Sequence, residues 1–214
     1  MVKTAFSHVT QWVFDLDNTL YPPEARLFDQ MEVRMTRYVM DVAGVDWAEA
    51  DRLRGQYWQA HGTTLAGLMA DHDIDTGHYL THVHDITLDH LVHDMALEAG
   101  IAALPGRRIV FTNGTAAYAA RVLDARGIRP LFHAIYGIEE AGLVPKPDLR
   151  AYERIFALDG IDPEKAAMFE DSPRNLIAPH ELGMQTVHVA PEPVFADYIH
   201  HHTNDLAAFL RALH

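Results

Sequence analysis

Residues 14–23 read FDLDNTLYPP, with two aspartates two positions apart, Asp15 and Asp17, placed directly after the apolar run Trp12-Val13-Phe14. Val9 to Phe14 is apolar, rich in β-formers and too short for a helix, which predicts a buried strand. Two like charges held at the end of such a strand repel each other unless a cation joins them. A calcium loop is the first rival for the stretch. It needs glycine at its sixth position and glutamate at its twelfth; counted from Asp15, those positions are Leu20 and Arg26, so that rival fails.

Pro22-Pro23 ends the stretch and the texture changes. Residues 24–43, 46–60 and 75–99 carry apolar side chains at helical spacing, as in Leu27, Met31, Met35 and Tyr38, and predict helices. Leu104-Pro105-Gly106 punctuates the end of this block. Strands predicted at Arg108–Phe111, His133–Tyr136, Ala166–Phe169 and Thr186–Val189 then alternate with helices predicted at Ala116–Ala125, Leu149–Leu158, Arg174–Leu182 and Asp205–Leu213. Such alternation argues for an α/β fold: a Rossmann-like, three-layer α/β/α core with a parallel sheet. The expected division is a core of residues 1–22 and 105–214 with an inserted α-helical cap domain at 23–104.

In open α/β sheets ligands lie beyond the C-terminal ends of the strands. Those ends carry Asp15 and Asp17, then Thr112-Asn113-Gly114, then Lys146 between two prolines, then Glu170-Asp171-Ser172. Each has a plain alternative. Asp15 or Asp17 alone reads as a turn or cap residue, Thr112-Asn113-Gly114 as a turn, Asp171-Ser172-Pro173 as a helix cap, and Lys146 as a solvated loop charge. Coincidence does not explain why all four fall at one sheet edge.

The bulk numbers narrow the function classes. The chain has 214 residues, 49% hydrophobic and 22% charged, the composition of a globular protein with a sizeable core. Its net charge of −13 repels nucleic-acid backbones and anionic lipid, so neither nucleic acid nor membrane is expected as a partner. With no cysteine, disulfides, zinc-thiolate sites and thiol nucleophiles are excluded. No apolar run approaches a membrane span and the first residues lack a secretory signal; the expected location is cytoplasmic, as a monomer or homodimer.

These residues resemble the haloacid dehalogenase superfamily over nearly the whole chain. Asp15, Asp17 and Thr19 match its first motif, Thr112 its second, Lys146 its third and Glu170-Asp171 its fourth. The wording DLDNTLYPP and FEDSPRNL is similar to the pyrimidine 5′-nucleotidase branch. One position departs: many relatives carry a further aspartate where this chain has Asn175.

The resemblance implies a Mg²⁺-dependent phosphomonoesterase acting on a small phosphorylated substrate, a pyrimidine nucleoside 5′-monophosphate. It implies Asp15 as nucleophile, forming an aspartyl-phosphate, and Asp17 as general acid and then base. Thr112, the backbone N–H of Asn113 and Lys146 would hold the phosphoryl group. Asp15, Asp171, the Asp17 carbonyl and, through water, Glu170 would hold Mg²⁺. Four carboxylates against one lysine leave the site too negative for a phosphate dianion; Mg²⁺ and a proton on Asp17 bring it to neutral. A dehalogenase attacking carbon needs no acid two residues on, so Asp17 favours phosphoryl transfer. The alternatives are a phosphatase or mutase for sugar or other small organic phosphates, and a non-catalytic metal-binding regulatory module.

Remaining features carry less. Arg174 either neutralises substrate charge or pairs with a nearby carboxylate. His90 and His93, read as a helical i, i+3 pair, fit a transition metal, but surface residues on an acidic helix are the better reading. Trp47, Tyr57 and Trp58 read as cap core, and Tyr21 as lining the cleft or packing at the cap hinge.

Overall fold

The structure, a computed structural model, describes residues 2–214. In chain order its elements are α1 (Val2–Ala5), β1 (Gln11–Phe14), α2 (Leu27–Ala43), α3 (Trp47–His61), α4 (Thr64–Asp71), α5 (Thr76–His84), α6 (Met95–Ala103), β2 (Arg107–Phe111), α7 (Ala116–Ala125), β3 (Ala134–Tyr136), α8 (Leu149–Asp159), β4 (Ala166–Glu170), α9 (Ile177–Glu181), β5 (Gln185–Val189), β6 (His201–Thr203) and α10 (Leu206–Arg211). The strands form one sheet in the order β3-β2-β1-β4-β5-β6, every pair parallel. β1 sits at its middle, with Phe14 opposite Val110 on one side and Phe169 on the other.

A strand buried on both faces sends alternate side chains to opposite layers. Trp12 and Phe14 of β1, Val110 of β2 and Phe169 of β4 join the layer that holds Val122 of α7, Ile101 of α6 and Leu210 of α10. Val13, Ile109, Phe111 and Met168 join the opposite layer with Tyr152 and Ile155 of α8 and Ala178 of α9. The three-layer α/β/α arrangement expected from the strand–helix alternation is therefore present. Among the described residues no helix is long and apolar enough to cross a membrane.

The helical block needs correction at several points. The continuous helix expected over 75–99 breaks into α5 and α6, because Asp85 to Asp94 is irregular and Asp94 starts a new helix by accepting N–H bonds from Ala96 and Leu97. His90 and His93 therefore do not share a helix, and His93 Nε2 instead meets Glu98 at 2.7 Å. An extra helix, α4, follows the N-cap Thr63. α6 packs on α10, where Gly100 lets the Leu210 side chain come close. The block expected at 23–104 thus loses its last helix to a sheet layer, and α2–α5 form the helical group that covers the strand ends. Trp47 and Trp58 are about half exposed, and Tyr57 alone of that group is core. The expected helix at 174–182 is a 3₁₀ turn, Pro173–Leu176, running into α9. The histidines at 200–202 feed an unexpected sixth strand.

Candidate active site

The C-terminal ends of β1, β2 and β4 deliver the chemistry, and sheet pairing fixes where each side chain begins. Asp15 N–H still donates to the Phe169 carbonyl at 2.9 Å, and Thr112 N–H to the Tyr136 carbonyl at 3.0 Å. Both residues leave the sheet from anchored backbone. Past Asp15 the chain turns through Asn18 at φ 58°, a left-handed conformation that asparagine accepts more readily than most residues.

Lys146 organises the centre. Its Nζ donates to Asp15 Oδ1 and Glu170 Oε2, each at 2.6 Å, and to the Phe111 carbonyl at 3.0 Å, which places all three ammonium protons. Burial opposes its charge, but Asp15 and Glu170 outweigh that and hold its pKa above the ordinary lysine value. The Asn113 amide fixes the Lys146 backbone, accepting its N–H at 2.8 Å and donating to its carbonyl at 3.1 Å. The Asn113 side chain is therefore spent on the loop, leaving its backbone N–H for a ligand.

Carboxyl oxygens of Asp15, Glu170 and Asp171 lie within 4.8 Å of one another. Burial, then the neighbouring Glu170, push the Asp15 carboxyl up to about 8. The same causes, with Asp15 added, push Asp171 up to about 10. One lysine does not offset three crowded carboxylates in a dry pocket. The donor set is all oxygen, which suits a hard divalent cation such as Mg²⁺. His188 Nε2 donates to the Asp171 carbonyl at 3.0 Å and steadies that loop.

Asp17 is held differently. Its Oδ1 accepts from Tyr21 Oη at 2.6 Å and from Tyr118 Oη at 2.9 Å, while Thr112 Oγ approaches Oδ2 at 3.4 Å. Burial and the Asp17 charge push both tyrosine pKa values well above normal, so both hydroxyls remain donors. Thr112 Oγ also accepts the Gly114 N–H at 2.9 Å. Tyr21 is thus a buried packing residue whose hydroxyl also bonds to the site aspartate. The sequence reading did not place Tyr118 or His84 at the site. Tyr118 sits on the inner face of α7 like any packing residue, and His84 comes from the helical block and stacks on Tyr118 with ring centroids 4.6 Å apart.

Asp15, Asp17, His84, Asn113, Gly114, Lys146, Glu170 and Asp171 line a cavity of about 460 Å³ between the strand ends and α2–α5, whereas the side chain of Thr112, expected to hold the phosphoryl group, is fully buried and is not on that lining. Its floor holds Asp15, Asp17, Lys146, Glu170 and Asp171, while Phe28, Met31, Met35, Leu65, Leu80 and Val83 of the helical block make its other wall apolar. Arg174 borders the cavity without a carboxylate partner: it lies over the Trp58 ring at 5.2 Å and donates to the Trp58 carbonyl at 3.3 Å. Asn175 lines the same cavity, its carbonyl accepting from Tyr152 Oη at 2.6 Å.

A family model described as haloacid dehalogenase-like hydrolase matches residues 12–183. Phosphate metabolism protein 8 of Saccharomyces cerevisiae is 28% identical over 188 residues, covering 80% of this chain and 58% of that protein; the chain thus spans well under two thirds of that relative's length. Among solved structures, a HAD phosphatase from Thermococcus onnurineus is 16% identical with a TM-score of 0.62, over 96% of this chain and 98% of that one. A 2-haloacid dehalogenase from Pseudomonas syringae is 19% identical with a TM-score of 0.60 over the same shares. At such identities these structures establish the shared fold and nothing finer.

Proposed function

The chain belongs to the haloacid dehalogenase-like hydrolase family, and from that premise we propose that it is a Mg²⁺-dependent phosphomonoesterase acting on pyrimidine nucleoside 5′-monophosphates through an aspartyl-phosphate at Asp15. The observation that carries this reading is the buried cluster in which Lys146 bridges Asp15 and Glu170 at 2.6 Å, with Asp171 within 4.8 Å. A hydrolase displacing halide from carbon has no use for a divalent-cation site, nor for an acid, because halide leaves without a proton. The yeast relative is named for phosphate metabolism, which agrees.

Asp15, Asp171 and Glu170 would hold Mg²⁺, with the Asp17 carbonyl as a further donor. Bound there, the ion would neutralise carboxylate charge and polarise a phosphoryl oxygen. Asp15 Oδ1 is committed to Lys146, so Oδ2 attacks phosphorus as the ester P–O bond breaks. The leaving oxygen takes a proton from Asp17. Oδ1 of Asp17 is filled by two tyrosine donors, so that proton sits on Oδ2, the oxygen nearer Thr112. Water then attacks the aspartyl-phosphate, Asp17 takes its proton, and inorganic phosphate leaves with Asp15 restored. Helices α2–α5 act as the cap that keeps bulk water out during these steps.

The apolar wall supports a nucleotide over a sugar phosphate. A leaving group that is polyol throughout would set more hydroxyls against Phe28, Met31 and Met35 than this wall can satisfy, whereas a base presents an apolar face. Phosphate release from UMP, CMP, purine nucleotides and sugar phosphates, with Mg²⁺ and with chelator, tests the reading. Fast release from UMP and CMP, abolished by chelator and by a folded Asp15→Asn variant, is expected. Release from sugar phosphates alone would replace the nucleotide reading, and silence on the whole panel would leave a metal-binding module.

A further inference from the structure

We propose that His84 reads the leaving group by accepting a hydrogen bond at Nε2, selecting phosphomonoesters that carry a hydroxyl or N–H close to the ester oxygen. The inference rests on the phosphomonoesterase reading and goes beyond it in naming what the helical block recognises. His84 ends α5 and lines the cavity. Its Nδ1 lies 2.8 Å from the Leu80 carbonyl. A carbonyl only accepts, so Nδ1 carries the proton and Nε2 of the neutral ring presents a lone pair. Burial lowers the pKa of the imidazole, which keeps it neutral at pH 7.

The placement of Nε2 is specific. A Cβ on Gly114 would lie 3.2 Å from it, so this nitrogen hangs over the loop after β2, two residues from Thr112. Thr112 Oγ lies 3.4 Å from the same Cβ position, so Nε2 sits beside the loop that the mechanism assigns to the phosphoryl group. Backbone bonds hold it there: Arg121 of α7 donates to the His84 carbonyl at 3.1 Å and to the Ile86 carbonyl at 2.9 Å. The His84 ring rests on Tyr118 at an interplanar angle of 24°, next to the hydroxyl that grips Asp17. On the same lining Glu32 is paired with Arg54 and Thr63 caps α4. Among the described residues Nε2 of His84 has no partner, in a wall that is otherwise largely apolar.

Two variants separate recognition from support. His84→Phe keeps a ring on Tyr118 and removes the acceptor; His84→Gln removes the ring and keeps an amide oxygen near the Nε2 position. Each is assayed with Mg²⁺ on UMP, glycerol 3-phosphate and p-nitrophenyl phosphate, whose leaving group has no donor, after a thermal melt has checked folding. The expected result is a loss of about 10-fold in kcat/KM for His84→Phe on the hydroxylated esters. On p-nitrophenyl phosphate the same variant should change by less than about 2-fold, and His84→Gln should retain more activity on the hydroxylated esters than His84→Phe. Equal losses on all three substrates, no loss on any, or His84→Phe outperforming His84→Gln would overturn the proposal and leave His84 as a support for Tyr118. The wild type separates this proposal from the reading beneath it. Activity on glycerol 3-phosphate with the expected pattern but none on UMP would end the nucleotide reading and keep His84. Activity on p-nitrophenyl phosphate alone would end the His84 proposal and keep the phosphomonoesterase.

Discussion

Lys146 supplies one fixed positive charge to a floor where Asp15, Glu170 and Asp171 crowd together, and the mismatch has a consequence for stability. In chelator the folded protein keeps protons on Asp15 up to about pH 8 and on Asp171 up to about pH 10. The unfolded chain has released both near pH 4. Folded pKa values raised above unfolded ones give stability that is complete below about pH 4. It is lost as pH rises, until the folded values are passed, at about 1.4 kcal/mol per pH unit for each proton retained. The urea midpoint of chelator-treated protein should therefore be lower at pH 9 than at pH 7, a window above ordinary histidine titration. Saturating Mg²⁺ should flatten that slope by taking the place of the protons. A midpoint that stays level or rises from pH 7 to pH 9 in chelator would contradict this charge balance. The same residues show what a linear sequence displays. Asp15, Lys146, Glu170 and Asp171 stand out because they follow strands, and strand ends of a parallel sheet converge. Tyr118 does not, because its bond to Asp17 spans 101 positions and its helix face looks like packing.

At the scale of elements, the helical group over the strand ends depends on close crossings that only small residues allow. At Gly67, where α4 meets α3, an added Cβ would fall 2.2 Å from Cγ and 2.4 Å from Cβ of Tyr57, whose side chain is buried. Gly67→Ala should cost about 1–3 kcal/mol, the range for overpacking a tight contact, read as a lower denaturant midpoint. A variant as stable as the wild type would show that the α3–α4 crossing relaxes freely. Gly67 also shows why α4 was invisible in the sequence: Gly62, two threonines and Gly67 read as a broken stretch, while the helix depends on Thr63 capping Ala66 N–H at 3.1 Å and on tertiary contact. Strand β6 was hidden for a related reason. His201-His202-Thr203 has no apolar alternation, and its pairing with β5 sets its conformation. The buried strands β1, β2 and β4 were legible because their runs are apolar on both faces, and the long helices because their apolar stripes repeat at helical period.

For the whole molecule, a net charge of −13 opposes the approach of any phosphate dianion. The positive groups bordering the cavity are Lys146, already paired, and Arg174, stacked on Trp58. On the proposed mechanism, a divalent cation offsets this charge and the displacement is split in two by a phosphoryl ester on Asp15. That ester leaves a direct trace in an Asp17→Asn variant treated with Mg²⁺ and p-nitrophenyl phosphate. The nitrophenolate leaves without needing a proton, so Asp15 is phosphorylated at a useful rate, but water then lacks its base and the ester accumulates. Mass spectrometry of the acid-quenched protein should find one added phosphoryl group on the peptide containing Asp15, in step with a burst of one equivalent of nitrophenolate and absent in chelator. Sustained nitrophenolate release with no phosphoryl group on that peptide, or with phosphate on another residue, would show that Asp15 is not the nucleophile.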